Sequence, residues 1–229
     1  MTSLQKWGKS VRTTIPVMAG YLVLGAGFGI LLRTRGYGLG WALAMSAFIY
    51  AGSMQYVAID LLTGGASLLT TAVTTLLVNA RHLFYGISML ERYRAAGRYA
   101  PYLIFSLTDE TYSLFAARED LTGAECFRIS LLDQLYWVLG TALGSLAGAY
   151  LDFNTTGIDF SLTALFLTVF TEQWLETKDH APALIGLGVS IVCRLLFGAD
   201  SFLLPTMGGM LCCLLVLDAR QTKKGGESV

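Results

Sequence analysis

"LVNARHLFYG", residues 77–86, sets an arginine and a histidine just after an asparagine, in a run that is otherwise apolar or hydroxyl-bearing. A charge at the centre of a bilayer costs about 2.5 to 3.5 kcal/mol on insertion scales. The stretch therefore marks either a soluble core with an oddly placed cation or a membrane segment with polar work to do. Composition decides between them. The chain has 229 residues, 54% of them hydrophobic and only 14% charged, with a mean hydropathy of +0.57. Soluble domains carry about 25% charged residues, so the solvent of this chain is lipid. Net charge is zero, which gives no footing for nucleic acid. Twenty-five glycines and four prolines suit membrane helices that approach closely.

Apolar runs fit to cross about 30 Å of hydrocarbon recur near 15–32, 39–62, 67–88, 100–117, 129–150, 160–173, 181–197 and 202–218. The expected fold is all-α: a polytopic integral membrane protein of about seven to eight transmembrane helices. One or two segments are broken or re-entrant, the short 160–173 among them. The whole of 1–229 reads as a single transmembrane domain. Lys6, Lys9 and Arg12 at one end and Arg220, Lys223 and Lys224 at the other place both termini in the cytoplasm by the basic-inside tendency. The 151–160 loop is acidic. The loop 91–100, with Arg92, Arg94 and Arg98, conflicts, because an eight-span path puts it outside. Either a span is re-entrant or the tendency fails there.

An internal echo runs along the chain. "YLVLGAGFG" at 21–29 resembles "YWVLGTALG" at 136–144, matching Tyr21, Gly25 and Gly29 to Tyr136, Gly140 and Gly144. "SMQY" at 53–56 is followed in the second half by "TEQW" at 171–174, and "RHLFYG" at 81–86 by "RLLFG" at 194–198. The expected duplicated halves are 13–118 and 128–220. Duplicated halves are common in secondary transporters, whose sites lie where the halves meet.

Four places carry intramembrane polarity. Thr71, Thr75, Asn79 and His82 fall at helical steps and predict one polar stripe, with Arg81 facing elsewhere or the helix irregular there. Asp109 and Glu110 stand mid-span in "PYLIFSLTDETYSLFAAR" (101–118), sharing a side with Ser106 and Ser113. Two adjacent carboxylates cannot both be cheaply ionised in a low-dielectric span; Arg81 and Arg194 are candidate partners. "YAGSMQYVAID" (50–60) holds Gly52, Ser53 and Gln55, a combination that can break a membrane helix and free its backbone for a ligand. Asp133 and Gln134, with Arg128, sit at the start of the fifth span, where capping or solvation explains them. Cys126, Cys193, Cys212 and Cys213 form no CxxC pair, so no disulfide, metal or other cofactor is expected.

"FIYAGSMQYVAIDLL" (48–62), "TTLLVNARHLFYGISM" (74–89) and "LTDETYSLF" (107–115), in this order and spacing, resemble the AzlC family of branched-chain amino acid permeases. The resemblance is strongest over about residues 15 to 120, with Met54 a small departure inside the first motif. It implies export of leucine, isoleucine, valine and related apolar amino acids across a bacterial inner membrane. It also implies a small AzlD-like membrane subunit as partner and the proton-motive force as energy source. The chain lacks a GxxxxGK[ST] phosphate loop, which agrees with that source. Gly52, Ser53, Gln55, Asn79, Arg81 and His82 are then the expected substrate-binding residues, and Asp109 and Glu110 the expected proton-coupling pair. No catalytic residue is expected. An intramembrane enzyme using His82, Asp109 and Glu110 as acid and base, or a channel for small zwitterions, are the rival readings.

Overall fold

The computed structural model describes residues 2–118, 120–150 and 180–202, with scattered positions between 160 and 175 and between 205 and 217. Helices and turns account for these, and no strand occurs among them. The chain divides into two compact units, Met1–Thr163 and Ala164–Val229. In chain order the first holds α1 (Ser3–Thr34), α2 (Leu39–Phe48), α3 (Gly52–Thr63), α4 (Leu68–Val78), α5 (Arg81–Ser88), α6 (Leu90–Ala95), α7 (Ala100–Phe105), α8 (Asp109–Ala116) and α9 (Gly123–Tyr150). The second holds α10 (Ala181–Ser201).

The frame of the first unit is the pair α1 and α9. They run parallel: Lys9 meets Glu125 at 3.2 Å, Thr14 meets Tyr136 at 3.2 Å, and Gly148 faces Ile30 and Arg33. Glycine permits the approach. A Cβ on Gly25 would stand 2.8 Å from the Trp137 carbonyl, and one on Gly140 2.7 Å from that of Leu22. Gly29 against Thr141 and Gly144 against Ala26 leave no room at all. Backbones this close gain dispersion contacts that lipid cannot match. The echo positions Gly25 and Gly29 thus face the strip that carries Gly140 and Gly144.

Two of the expected spans are hairpins. After α2 descends from the Tyr37 turn, Tyr50 stands level with Tyr21 and Phe105, its ring 6.3 Å from that of Phe105. The chain then turns back. Six residues later the Tyr56 hydroxyl donates to the Leu24 carbonyl at 2.7 Å, and its ring packs on Phe28. Gln55 reaches across the hairpin to Ser46 at 3.1 Å. Tyr50 holds a positive φ of 43°, a left-handed conformation unusual outside glycine, at the reversal itself. The segment 100–117 behaves alike from the opposite end. Thr108 meets Tyr21 at 2.8 Å, yet ten residues on Arg118 donates to Thr13 at 2.9 Å, two turns back down α1. Between the hairpins α4, α5 and α6 form one broken traverse, interrupted at Asn79 and Ala80.

These paths correct two expectations. The runs 39–62 and 100–117 each return to the end they left, so neither is one continuous span. The helix that carries Thr71, Thr75, Asn79 and His82 is kinked at Asn79 and Ala80, yet Thr75, Asn79 and His82 still face one cavity, as the expected stripe requires. The common side expected for Ser106, Asp109, Glu110 and Ser113 does not form, because the chain leaves the helix at Ser106 and restarts under the Thr108 cap. A third correction concerns α9. It begins at Gly123, not near 129, so Asp133 lies ten residues inside it and is fully buried.

Basic residues gather where α1 begins. Arg92 of α6 donates to the carbonyls of Phe115 and Arg118 at the close of α8. Gly123 abuts Ala96. Glu125 is held down to about 2 by the backbone amide of Thr122, its hydroxyl and Lys9. Lys9, Arg92, Arg118 and the 91–100 loop therefore share one end.

In the second unit α10 is apolar from Ala181 to Gly198. Gly198 has φ 76° and ψ −177°, a conformation that glycine alone tolerates well. Gly209 sits so close to Val189 that a Cβ there would stand 2.9 Å from it. Arg194 lies over the Phe202 ring. The acidic loop 151–160, the segment 160–173 with Gln173, the run 202–218, and Arg220, Lys223 and Lys224 fall wholly or partly outside the described residues.

The close approach of α1 and α9 yields a paired test. Gly144→Ala inserts a methyl where Ala26 already stands, at a cost of about 1–3 kcal/mol. Gly20→Ala on the same frame meets nothing and gains helix propensity. The first should lower the melting temperature in detergent and the second leave it equal or higher. Equal behaviour of the two would refute the close packing.

Candidate functional site

Three interrupted helices meet near one level of α1 and α9. Their second halves start at Gly52, Arg81 and Asp109. Each break frees backbone groups that lipid cannot satisfy, and side chains from neighbouring helices take up part of the demand. Gln134 of α9 donates to the Ala47 carbonyl at 3.1 Å and accepts from the Tyr102 hydroxyl at 2.6 Å. One side chain thus ties the end of the first hairpin's inward arm to the second hairpin. Thr108 caps α8 through a reciprocal box with Thr111. The starts of α3 and α5 have no side-chain cap.

The charged centre is built from three of the expected residues. Arg81 Nη2 donates to Ser53 Oγ at 2.7 Å and lies 2.9 Å from Asp109 Oδ2. Both partners of the ion pair are about one-third exposed. Asp109 and Glu110 stand in the first turn of α8, where the positive end of the helix dipole favours anions. They diverge. Glu110 accepts from the Tyr21 hydroxyl at 2.6 Å, on the α1 side.

Beside this centre lies a cavity of about 620 Å³. Its wall comes from all three breaks: Ile49, Tyr50 and Ala51 from the first hairpin tip, Asn79 and His82 from the middle traverse, Phe105 and Leu107 from the second tip. Leu76, Leu83, Leu90 and Ile104 make most of the remainder apolar. Asn79 donates its amide nitrogen to the Thr75 carbonyl, which leaves its buried Oδ1 without a partner. His82 holds Nδ1 near the Asn79 carbonyl at 3.2 Å. An apolar chamber with a few converging polar groups is the usual form of a small-molecule site, within the common range of about 300–1,000 Å³.

Gly52 and Gln55 stand elsewhere. A Cβ on Gly52 would meet the Trp137 ring at 3.0 Å. Gln55 is fully buried, accepting from Trp137 Nε1 at 2.9 Å and donating to Ser46, which donates in turn to Thr141 at 2.9 Å. Its amide locks the first hairpin onto α9 rather than bordering the cavity. The residues that sequence reasoning missed are Tyr21, Tyr50, Tyr102, Asp133 and Gln134. Tyrosines in apolar runs look like packing, and no periodicity separates them from it. Gln134 and Asp133 stand out as polar residues, but hydropathy alone sets them at a helix end.

The chain matches the family profile described as "AzlC protein" over residues 16–151. It is 45% identical over 208 residues to the "Branched-chain amino acid transport protein AzlC" of Bacillus subtilis (strain 168), covering 89% of this chain and 82% of that one. An "Uncharacterized membrane protein" of Haemophilus influenzae is 41% identical over 215 residues, covering 92% and 87%. The "Inner membrane protein YgaZ" of Escherichia coli (strain K12) is 26% identical over 222 residues, covering 90% and 87%. No solved structure matches. The profile takes in more than half of the sequence, and the identity extends well beyond it. The chain is a membrane protein and belongs to the AzlC family.

Proposed function

We propose that the chain is the large subunit of a proton-coupled exporter of branched-chain and related apolar amino acids. The observation that carries this is the apolar cavity walled by three helix breaks, with the Arg81–Asp109 pair beside it. The substrate is a zwitterion with a greasy side chain. The leucine and phenylalanine wall suits the side chain. The unpartnered Asn79 Oδ1 and the carbonyls freed at the break suit the ammonium. The carboxylate competes with Asp109 for Arg81, since a guanidinium binds either one in the same forked geometry. An Asp109 displaced from its partner is costly in a dry site unless it takes a proton. Substrate and proton are then linked through one arginine. The family relative named as a branched-chain amino acid transport protein supports the substrate class.

The hairpins supply the topology we favour. The path α1, hairpin, α4–α6, hairpin, α9 crosses three times in the first unit, and the tips enter from opposite faces. The 91–100 loop then joins Lys9 and Arg118 in the cytoplasm, which removes the conflict in the basic-inside pattern. The whole chain forms one transmembrane domain in this reading, and the face-to-face echo on α1 and α9 supports its descent from duplicated halves at 13–118 and 128–220. Impermeant maleimide should label Ala66→Cys in intact cells and Ala95→Cys only after permeabilisation, each in a cysteine-free background. The reverse pattern would restore an eight-span path.

The substrate-linked switch gives its own signature. Arg81→Lys should raise KM for leucine about tenfold or more, the value of a lost charge-assisted bond. Asp109→Asn should retain exchange but lose acceleration by a pH gradient. Gradient-driven leucine transport at wild-type rate in both variants would end the proposal.

A second subunit fits the exposed faces. No residue of α4 or α5 is buried, although α5 carries Arg81, and Leu69, Leu76, Phe84 and Ile87 stand well exposed. Export in cells should require co-expression of a small AzlD-like membrane protein, and the two should co-purify in mild detergent. Full export by this chain reconstituted alone would dispense with the partner.

A further inference from the structure

The first turns of α1 have no role in the scheme above. α1 has 32 residues, about 48 Å at helical rise, against about 30 Å of hydrocarbon. Its apolar run begins near residue 15, so the turns before it stand at headgroup depth. Two faces of those turns differ. Leu4, Trp7, Val11 and Ile15 recur at helical spacing and all are exposed. They form an apolar stripe that carries a tryptophan at the depth where indole rings prefer to sit. Gln5, Lys9 and Arg12 recur on the neighbouring face.

The basic face borders a hollow. Gln5, Gly8, Lys9, Arg12, Thr13 and Arg118 line a cavity of about 580 Å³. Arg118 comes from the chain just past α8 and is steered inward, its Nη1 donating to Thr13 Oγ1 at 2.9 Å. Lys9 is partly engaged, its ammonium 3.2 Å from Glu125. Arg12 has no hydrogen bond or ion pair among the described residues. Among those residues no carboxylate lines the hollow. Gly8 leaves it open, since a Cβ there would meet nothing within 4 Å.

Three cationic side chains around one hollow repel each other unless an anion sits between them. The lining is too polar for a greasy side chain, and no aromatic ring is present to stack a base. What fits is an oxyanion that guanidiniums take in forked geometry, as they take a phosphate ester. A free phosphate would use the hollow alone. The exposed stripe beside it favours a lipid, whose acyl chains would run past Val11 and Ile15 toward the hydrocarbon while its phosphate stays among the basic groups.

We propose that this hollow binds the phosphodiester headgroup of an anionic phospholipid. Arg12 and Arg118 hold the phosphate, Lys9 adds charge, and Trp7, Val11 and Ile15 lie along the chains. Arg12 belongs to α1 and Arg118 follows α8, so the bound lipid ties the returning arm of the second hairpin to the frame. The site is separate from the Arg81 centre and does not depend on what the chain transports.

The test uses the full chain purified in mild detergent, with phosphatidylglycerol and phosphatidylcholine added in equal amounts and the retained lipid counted by native mass spectrometry. Wild-type protein should keep phosphatidylglycerol in preference. Arg12→Gln combined with Arg118→Gln should weaken that binding about tenfold or more. Gly8→Leu fills the hollow without altering charge and raises helix propensity, and it should weaken binding to a similar degree. Arg33→Gln combined with Arg35→Gln removes as much charge from the far end of α1 and should leave binding within about twofold of wild type. Inorganic phosphate at the same concentration as the lipid should not displace it. Equal retention of the two lipids by wild-type protein overturns the proposal, as does wild-type binding in Gly8→Leu. A loss in the Arg33 and Arg35 variant as large as that in the Arg12 and Arg118 variant would reduce the effect to bulk charge and overturn the site. Displacement by inorganic phosphate would make a free phosphate the occupant and overturn the lipid.

Discussion

The parallel contact of α1 with α9 is the constraint from which the rest of the first unit follows. Helices in lipid have no hydrophobic force to join them, so a tight seam must come from backbone proximity and dispersion. Gly25, Gly29, Gly140 and Gly144 supply that proximity. The seam then fixes the height of everything that leans on it. Tyr21 is placed to reach the second hairpin, and Gln134, Trp137 and Thr141 to hold the first. A shift of α9 by one turn along α1 would move its three anchors about 5.4 Å relative to Tyr21 and pull the supports of the two tips apart.

Parallel packing also limits the topology. Two helices that start at the same end must be separated by an odd number of traverses. With three intervening segments crossing, or with one crossing and two hairpins, the count is odd in both cases. Hydropathy cannot tell these apart, because a run that crosses and a run that turns back have the same composition and length. The signal that did discriminate was charge. Arg92, Arg94 and Arg98 stood on the wrong side of an eight-span path, and the hairpins place them beside Lys9 and Arg118. On the proposed path, the conflict in the sequence is the mark of re-entrance.

Other features were legible to different depths. Gly52 and Ser53 announced a broken helix, since small residues free the backbone. The break at Asn79 and Ala80 was half visible: the awkward angle of Arg81 on an unbroken helix asked for an irregularity, and the chain has one there. Charge alone leaves Arg81 and Arg194 as candidate partners of the acidic pair, and the fold sets Arg81 against Asp109. Gln55 reads from sequence like a residue facing the pathway, yet polarity in a span does not say which neighbour satisfies it. Trp137, eighty-two positions away, could not be named without the fold. Asp133 was misplaced because the apolar run starts near 129 while the helix starts at Gly123, under a Thr122 and Glu125 cap. Capping residues are polar, so hydropathy trims them off and shifts every buried group toward an end.

Buried polarity in this chain therefore divides into two kinds, and the division is physical rather than positional. Gln55 and Gln134 are amides that donate and accept, and each is satisfied in both senses. An amide cannot change its charge, so a fully paired one fastens elements together and does nothing else. Asp109, Glu110 and Asp133 are carboxyls, which exist in two charge states with different demands on their surroundings. One is paired with an arginine that a substrate carboxylate could claim, one is held by a tyrosine, and one is bare. At Asp133, whose oxygens have no partner, a protein needing only rigidity would gain from an uncharged residue. A carboxyl can gain and lose its charge where an amide cannot, and that is the property the proposed coupling requires.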